Sequence, residues 1–545
     1  MAGKAALLIL GLLSAGLGLK IWPLPKSQTE GTGKIEFDDP YSIMYYIVSS
    51  QGNSVPGHVY EILQVYNDIM YPNPSGSKTR DDPQVRLLNQ EKEPPRNGQI
   101  SIFINVKNLD LKTPTTVQDE QYGLEIKNEK EWWISAQAYP GFVHALETLS
   151  QLVERNESKF VINNTPISIS DIPEFPYRGI MIDSSRHFLK VANIKKTIDA
   201  LMFNKMNVLH WHIVDEDSFP LEITSIPELM EYGSFDKKKE VYTQETIKSL
   251  VNYAKVRGVR LIPEIDTPAH TYSWGFSPKL KNITLNCSQT YNGQFDPTMN
   301  ETYDTITKVF NETKDLFPDD MIHFGGDEVD EGCWDQRPAI KEFMAKENIS
   351  TYKDLQIYYR NKSKKIFRET LKSNKSIIYW ANQDLNLPVQ EDDIIQWWGN
   401  HSLLDAIKDM KNQVILSSWN LLYLDVGVGT TFGSHYWKTA TWKQIYEFNP
   451  KLPDGFKGTS IGAEAPLWSE LSTDHTHFTK LWPRASCLGE RLWNTGAAQP
   501  LSDVIGRLVA FNNKIKLRGI PVSPFVTQQC ELHPYYCVKN TTSSL

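Results

Sequence analysis

The sequence predicts an α/β protein: a C-terminal (β/α)8 TIM barrel preceded by a smaller domain of mixed sheet and helices. Three observations predict it. From Arg178 onward, short and nearly continuous apolar runs alternate with helical stretches. Strands of a parallel sheet covered on both faces read this way. The runs recur often enough to close a (β/α)8 barrel. Polar and aromatic residues gather at their C-terminal ends, where such a barrel carries its chemistry.

Taken in order, residues 1–18 read as a secretory signal. Lys4 precedes the apolar run Ala5 to Leu13, and small residues follow at Ser14, Ala15, Gly16 and Gly18. The run is too short to span a bilayer and no other is longer, so no stable membrane span is expected. Residues 19–172 read as a non-catalytic α/β unit. Ile100 to Val106 alternates like a strand, and Tyr122 to Ile126 and Trp132 to Ala136 are two more. Gly141 to Val153 reads as a helix, with Phe142, Ala145, Leu146, Leu149 and Leu152 on one side. Pro173-Glu174-Phe175-Pro176 is a stiff linker, and residues 173–545 form the barrel. Its strands are expected at Gly179–Asp183, Val208–Ile213, Val259–Ile265, Met321–Phe324, Ile377–Trp380, Ile394–Trp398, Val414–Ser418 and Ser460–Trp468.

At 545 residues the chain is too long for one small core, which agrees with two domains. Its net charge of −8, without a basic run, argues against nucleic acid or an anionic membrane as partner. Sequons agree with secretion: Asn156, Asn163, Asn282, Asn286, Asn300, Asn311, Asn348, Asn361, Asn374, Asn400 and Asn540. A lysosomal, vacuolar or secreted destination follows. In an oxidising compartment five cysteines imply two disulfides and one leftover. Cys530 and Cys537 are close enough to staple the tail, and Cys287 with Cys333 would tie two loops together. Cys487, in an apolar helical pattern, is the expected free thiol. No Cys/His spacing resembles a zinc site, so no metal is expected.

The most informative stretch is His323-Phe324-Gly325-Gly326-Asp327-Glu328. Adjacent carboxylates at the end of a buried strand are costly unless the site uses them. The two glycines remove side-chain bulk, so a ligand can approach closely. Other strand ends supply Arg178, His210-Trp211-His212 with Asp215, Asp266 to His270, Trp380, Trp398, Tyr423 with Asp425, Trp437, and Trp468-Ser469-Glu470. Each has a plain structural reading, as a packed Trp, a satisfied core His or a helix-capping Asp. Together, acids, aromatics and an arginine at one mouth are what a sugar site needs: aromatic walls for ring faces, charged groups for hydroxyls.

These motifs, with Asp183-x-x-Arg186-His187 and Asp266-Thr267-Pro268-Ala269-His270, resemble the glycoside hydrolase family 20 β-N-acetylhexosaminidases. The resemblance covers nearly everything after the signal. It implies retaining, exo-acting removal of terminal β-linked GlcNAc or GalNAc, with the substrate's acetamido oxygen as nucleophile and an oxazolinium-like intermediate. The two-carboxylate scheme of most glycosidases does not apply to such enzymes. By position, Glu328 resembles the acid/base, and its pKa is expected to be raised by burial and nearby negative charge. Asp327 resembles the residue that orients the acetamido group, and Tyr423 the donor to its oxygen. Asp215 and His270 resemble the pair that tunes the acid. Arg178, Asp425 and Glu470 would bind hydroxyls. Trp380, Trp398 and Trp468 would wall the acetamido pocket, and Trp437 would stack on the aglycone. The resemblance implies no metal or organic cofactor, because the substrate brings the nucleophile, and it implies a homodimer. Asp425 with Val426 implies preference for neutral over 6-sulfated sugars. Two alternatives stand beside this reading. A binding protein without turnover would show no product, and a disaccharide-releasing enzyme would cut chito-oligosaccharides into pairs.

Overall fold

A computed structural model describes residues 18–37, 43–48, 54–71, 83–88, 99–156, 159–287, 290–384, 389–425, 440–496 and 499–532. The expected signal segment before residue 18 lies outside them. The first domain is a mixed sheet with strands in the order Ser27–Phe37, Lys159–Asp171, Tyr122–Ile126, Glu131–Ala138, Ile100–Asn108, Ile43–Val48 and Val85–Leu88. Helices Gly57–Met70 and Tyr139–Leu152 cover it. The second of these is buried on every face, because its other side meets the barrel.

Eight parallel strands then close into a barrel. They are β1 (Tyr177–Asp183), β2 (Val208–Val214), β3 (Arg260–Ile265), β4 (Met321–His323), β5 (Ser376–Ala381), β6 (Ile394–Trp397), β7 (Gln413–Leu416) and β8 (Thr459–Leu467). Each falls within a few residues of its expected place. β8 pairs β1 in parallel from Gly462↔Tyr177 to Leu467↔Ile182, which closes the ring. Val208, Ile262, Ile378, Ile394 and Ile415 fill the barrel's lower layer, as branched residues do in such cores.

The domains are fastened by buried charge. Arg178 is the second residue of β1 and therefore lies at the floor of the barrel, with no solvent exposure. Its guanidinium pairs with Glu120 of the first domain and donates to the Phe175 and Lys205 carbonyls. Beside it Lys205 reaches Asp171 at 3.4 Å, and Trp493 donates to the same carboxylate at 2.9 Å. Trp22 is buried against Phe511 and donates to the Ser486 carbonyl, so the start of the described chain is anchored to the last helices.

Cys287 and Cys333 are joined by a disulfide, with Cα atoms 5.4 Å apart, and Cys487 is a buried free thiol. Cys530 is disulfide-bonded, while its expected partner Cys537 lies outside the described residues. Among the expected sequons, Asn156, Asn163, Asn282, Asn286, Asn300, Asn311, Asn348, Asn361 and Asn374 are exposed. Asn400 is half-buried and its side-chain oxygen caps Ser402, and Asn540 lies outside the described residues. No helix among the described residues is long and apolar enough to cross a membrane.

Candidate active site

The C-terminal ends of the strands converge on Asp327 and Glu328. After β4 the chain turns through two left-handed glycines, Gly325 at φ 63° and Gly326 at φ 93°. A Cβ on Gly325 would sit 1.7 Å from Asp266 Oδ1, so only glycine fits. Gly326 N–H donates to that same oxygen at 2.8 Å. Asp266 therefore holds the turn under the acid pair and does not cap a helix. Glu328 itself is left-handed, at φ 48°, as is His270 at φ 58°. Non-glycine residues in that region carry strain of about 1–3 kcal/mol each, and such strain clusters at functional sites.

A chain of alternating carboxylates and imidazoles runs from the barrel interior to Glu328. Glu264 of β3 accepts from Trp380 Nε1 at 2.6 Å and faces His212 Nδ1 at 2.8 Å. His212 Nε2 meets Asp215 at 2.5 Å. Asp215 lies 3.1 Å from His270 Nδ1, and His270 Nε2 lies 3.4 Å from Glu328. Burial works against charge on Asp215, yet the Arg186 guanidinium and His270 hold it well below the usual carboxylate range. Burial likewise opposes charge on His270, but Asp215, Asp266 and Glu328 keep it cationic well above the usual imidazole range.

Glu328 departs from expectation. Its side chain is 53% exposed, and hydrogen bonding to the His270 cation lowers its pKa although its partial burial acts in the opposite sense. The raised acid is its neighbour: burial and the Glu328 charge lift Asp327 to about 6, against the pull of His270. Asp327 Oδ1 is buried and has no hydrogen-bond partner. It is an acceptor available to a ligand N–H.

Aromatic walls surround the pair. Trp380 and Trp468 stand 5.9 Å apart, and Tyr423 is 6.3 Å from Trp468. Trp398 follows β6, and its N–H donates to Ala381 at the end of β5. Burial and the nearby Asp327 charge keep the Tyr423 hydroxyl protonated, pushing its pKa well up, so it remains a donor. Asp425 follows Tyr423; its Oδ1 is buried without a partner, and burial with the Glu470 charge lifts its pKa to about 7. Glu470 is exposed at the rim after β8. Trp437 and Val426 lie outside the described residues.

One assignment is corrected. Arg178 is at the wrong end of β1 to meet a substrate. The arginine at the mouth is Arg186, three residues past the strand. It lies 2.9 Å from Asp215, 3.2 Å from Glu216 and 5.1 Å from the Trp468 ring centre. Strand direction alone could have chosen it, because Arg178 precedes its apolar run and Arg186 follows it. Glu216 and Glu264 were also not foreseen as parts of the site; Glu216 accepts from His270 Nδ1 at 2.7 Å.

His210, Glu264 and His323 lie close enough together to gather round a metal ion, as do Asp266, His270 and Asp327. In the first set both nitrogens of His210 already face carboxylates, Glu264 at 3.0 Å and Glu464 at 2.9 Å. Charge there is matched within the protein, which gives no reason to require an ion.

Paired acids, a cationic imidazole behind one of them and aromatic walls at the mouth of a (β/α)8 barrel define a glycosidase-type site. The family model of glycosyl hydrolase family 20, catalytic domain, matches residues 175–496, and the model described as beta-acetyl hexosaminidase like matches residues 21–152. The chain belongs to glycosyl hydrolase family 20. It is 37% identical over 452 residues to the beta-hexosaminidase subunit beta of Mus musculus, covering 80% of each chain. To the subunit alpha of Rattus norvegicus it is 32% identical, over 96% of this chain and 97% of that one. Among solved structures, the chitobiase of Flavobacterium johnsoniae superposes with a TM-score of 0.76 at 27% identity, covering 92% of this chain and 73% of that one.

Proposed function

We propose that this protein is a retaining exo-β-N-acetylhexosaminidase that removes terminal β-linked GlcNAc or GalNAc from glycans or chito-oligosaccharides. The observation that carries the reading is the division of labour between adjacent acids. Asp327 offers a buried, unpartnered oxygen, while Glu328 is exposed to the mouth and backed by His270. An acetamido N–H placed on Asp327 and its oxygen on the Tyr423 hydroxyl turns the acetamido oxygen toward the anomeric carbon. Attack closes an oxazolinium ring as Glu328 protonates the leaving oxygen. Water, deprotonated by Glu328, then attacks the anomeric carbon from the face the leaving group left and breaks its bond to the acetamido oxygen, so two inversions retain the configuration. Asp327 faces the positive charge as it develops, which is the preorganised stabilisation that lowers such barriers.

Arg186 and Asp425 bind the terminal sugar's hydroxyls, with Glu470 at the rim, while Trp380, Trp398 and Trp468 enclose the acetamido group and ring. Neutral substrates are preferred, because an ionised Asp425 would face a 6-sulfate. The predicted leader and the exposed sequons support a place in the secretory pathway, lysosomal, vacuolar or extracellular, and the relatives' designation as subunits fits an oligomer, which we read as a homodimer. Glu328→Gln tests the acid/base assignment. Hydrolysis of chitobiose should fall about 10²–10⁴-fold while an aryl glycoside with a good leaving group is less affected. Near-normal chitobiose turnover would remove Glu328 from that role. Monosaccharide as the first product from chito-oligosaccharides supports the exo reading; disaccharide would favour the alternative.

A further inference from the structure

Arg360 lies on the helix Tyr352–Lys365, underneath the catalytic turn, and is only 7% exposed. Its guanidinium packs over the Tyr379 ring, 4.1 Å from the ring centre, and Nη2 would lie 3.1 Å from a Cβ on Gly326. Nη1 is buried with no hydrogen-bond partner, and so is the Tyr379 hydroxyl, while the Tyr359 hydroxyl lies beside Thr267 and Ser363. These residues line one cavity of about 10 Å³, together with Gly326, Phe324 and Pro268.

The other buried arginines are all matched in charge. Arg178 pairs with Glu120, Arg260 with Asp319 and Arg507 with Glu490. Among the described residues no carboxylate lies within ion-pair range of Arg360. Asp393 acts on it only at longer range and is itself held by Lys364 at 2.7 Å. Burying an unpaired guanidinium is expensive, and arginine does not shed its proton to escape the cost.

We propose that Arg360, Tyr359 and Tyr379 form a binding site for one monatomic anion, a halide, beneath the catalytic turn. The fixed charge of the guanidinium excludes a cation, and the hydroxyls and the Gln356 amide that complete the lining, with Thr267 and Ser363, can turn donors toward an anion. A cavity of that size has room for one small spherical guest and shuts out sulfate or phosphate. A water molecule would satisfy hydrogen bonds but leave the charge unmatched. The Gly326 wall places the ion one residue from Asp327, so the bound anion also steadies the turn that carries the acid pair.

The test uses the full chain. Tm is measured in sodium chloride, bromide, sulfate and gluconate at constant ionic strength, for the wild type, Arg360→Met and Tyr379→Phe. Chloride and bromide should raise the wild-type Tm by a few degrees, growing with the logarithm of concentration, as ligand linkage requires. Sulfate should match gluconate. Arg360→Met should show no halide dependence, and crystals grown in bromide should give an anomalous peak beside Arg360 Nη1. If Arg360→Met does not fold, Tyr379→Phe keeps the charge and removes one donor, so its halide dependence should move to higher concentration. Equal wild-type Tm in chloride and gluconate, an unchanged dependence in either variant, or no bromide peak at Arg360 would overturn the proposal.

Discussion

Replacing Asp327 by asparagine separates charge from shape at the centre of the site. Holding a carboxylate whose pKa has risen from 3.8 to about 6 costs the empty site about 3 kcal/mol at neutral pH. A cation formed against Asp327 recovers that cost, and the amide cannot supply it. We expect kcat/KM to fall about 10²–10³-fold, the usual loss when one preorganised stabilising group is removed. The pH profile makes the test sharper. The acid pair holds two protons at low pH, one between the lowered pKa of Glu328 and about 6, and none above. The productive state has one proton, on Glu328, with Asp327 ionised. In the free site the proton prefers Asp327; a bound acetamido N–H claims that oxygen and transfers the preference to Glu328. Wild-type kcat/KM should therefore be bell-shaped, falling below the Glu328 pKa and again as pH rises through about 6; these are macroscopic values of the pair. In Asp327→Asn the limb near 6 should vanish, and activity should fall from a lower pH set by Glu328 alone. Initial rates with an aryl β-GlcNAc from pH 3 to 8 decide it. A variant within threefold of wild type, with its basic limb unmoved, would refute the reasoning.

The two arginines should behave oppositely. Arg178→Met breaks a buried ion pair and should destabilise by about 3–5 kcal/mol in denaturant melts while leaving KM of the folded fraction unchanged. Arg186→Met should lower kcat/KM at least tenfold, and a greater effect of Arg178→Met on KM would place Arg178, not Arg186, at the substrate. A non-reduced digest analysed by mass should yield Cys287–Cys333 and Cys530–Cys537 with Cys487 unmodified; any other pairing contradicts the compartment argument. Discrimination against 6-sulfated GlcNAc should grow as pH rises through about 7, because Asp425 is neutral below that value and anionic above it. A sulfated-to-unsulfated ratio that does not change with pH would exclude Asp425 as the discriminating group.

The barrel was legible because its strands are buried on both faces and so read as unbroken apolar runs; each boundary was set within a few residues by the flanking polar residues. Asp327 and Glu328 were legible because nothing structural explains two acids behind two glycines at a strand end. Burial was not. Which of two adjacent acids is shielded depends on the left-handed turn at Gly325 and Gly326, and on His270, 58 residues earlier in the chain. This is why the raised pKa belongs to Asp327 and not Glu328. Arg178 failed for a related reason: a motif match carries residue identity but not the end of the strand. Arg360 gave no signal at all, because its isolation from carboxylates exists only once the helix packs beneath Gly326.

The central claim is that the substrate's own acetamido oxygen is the nucleophile at Asp327–Glu328. It is tested most directly by kcat/KM for aryl β-glycosides whose acetyl group carries none, one, two or three fluorines. Each fluorine withdraws electrons from that oxygen without adding much bulk. The account predicts a steep, monotonic fall across the series, with the β anomer as first product by NMR. Rates that stay flat across the series, or an α first product, would contradict it.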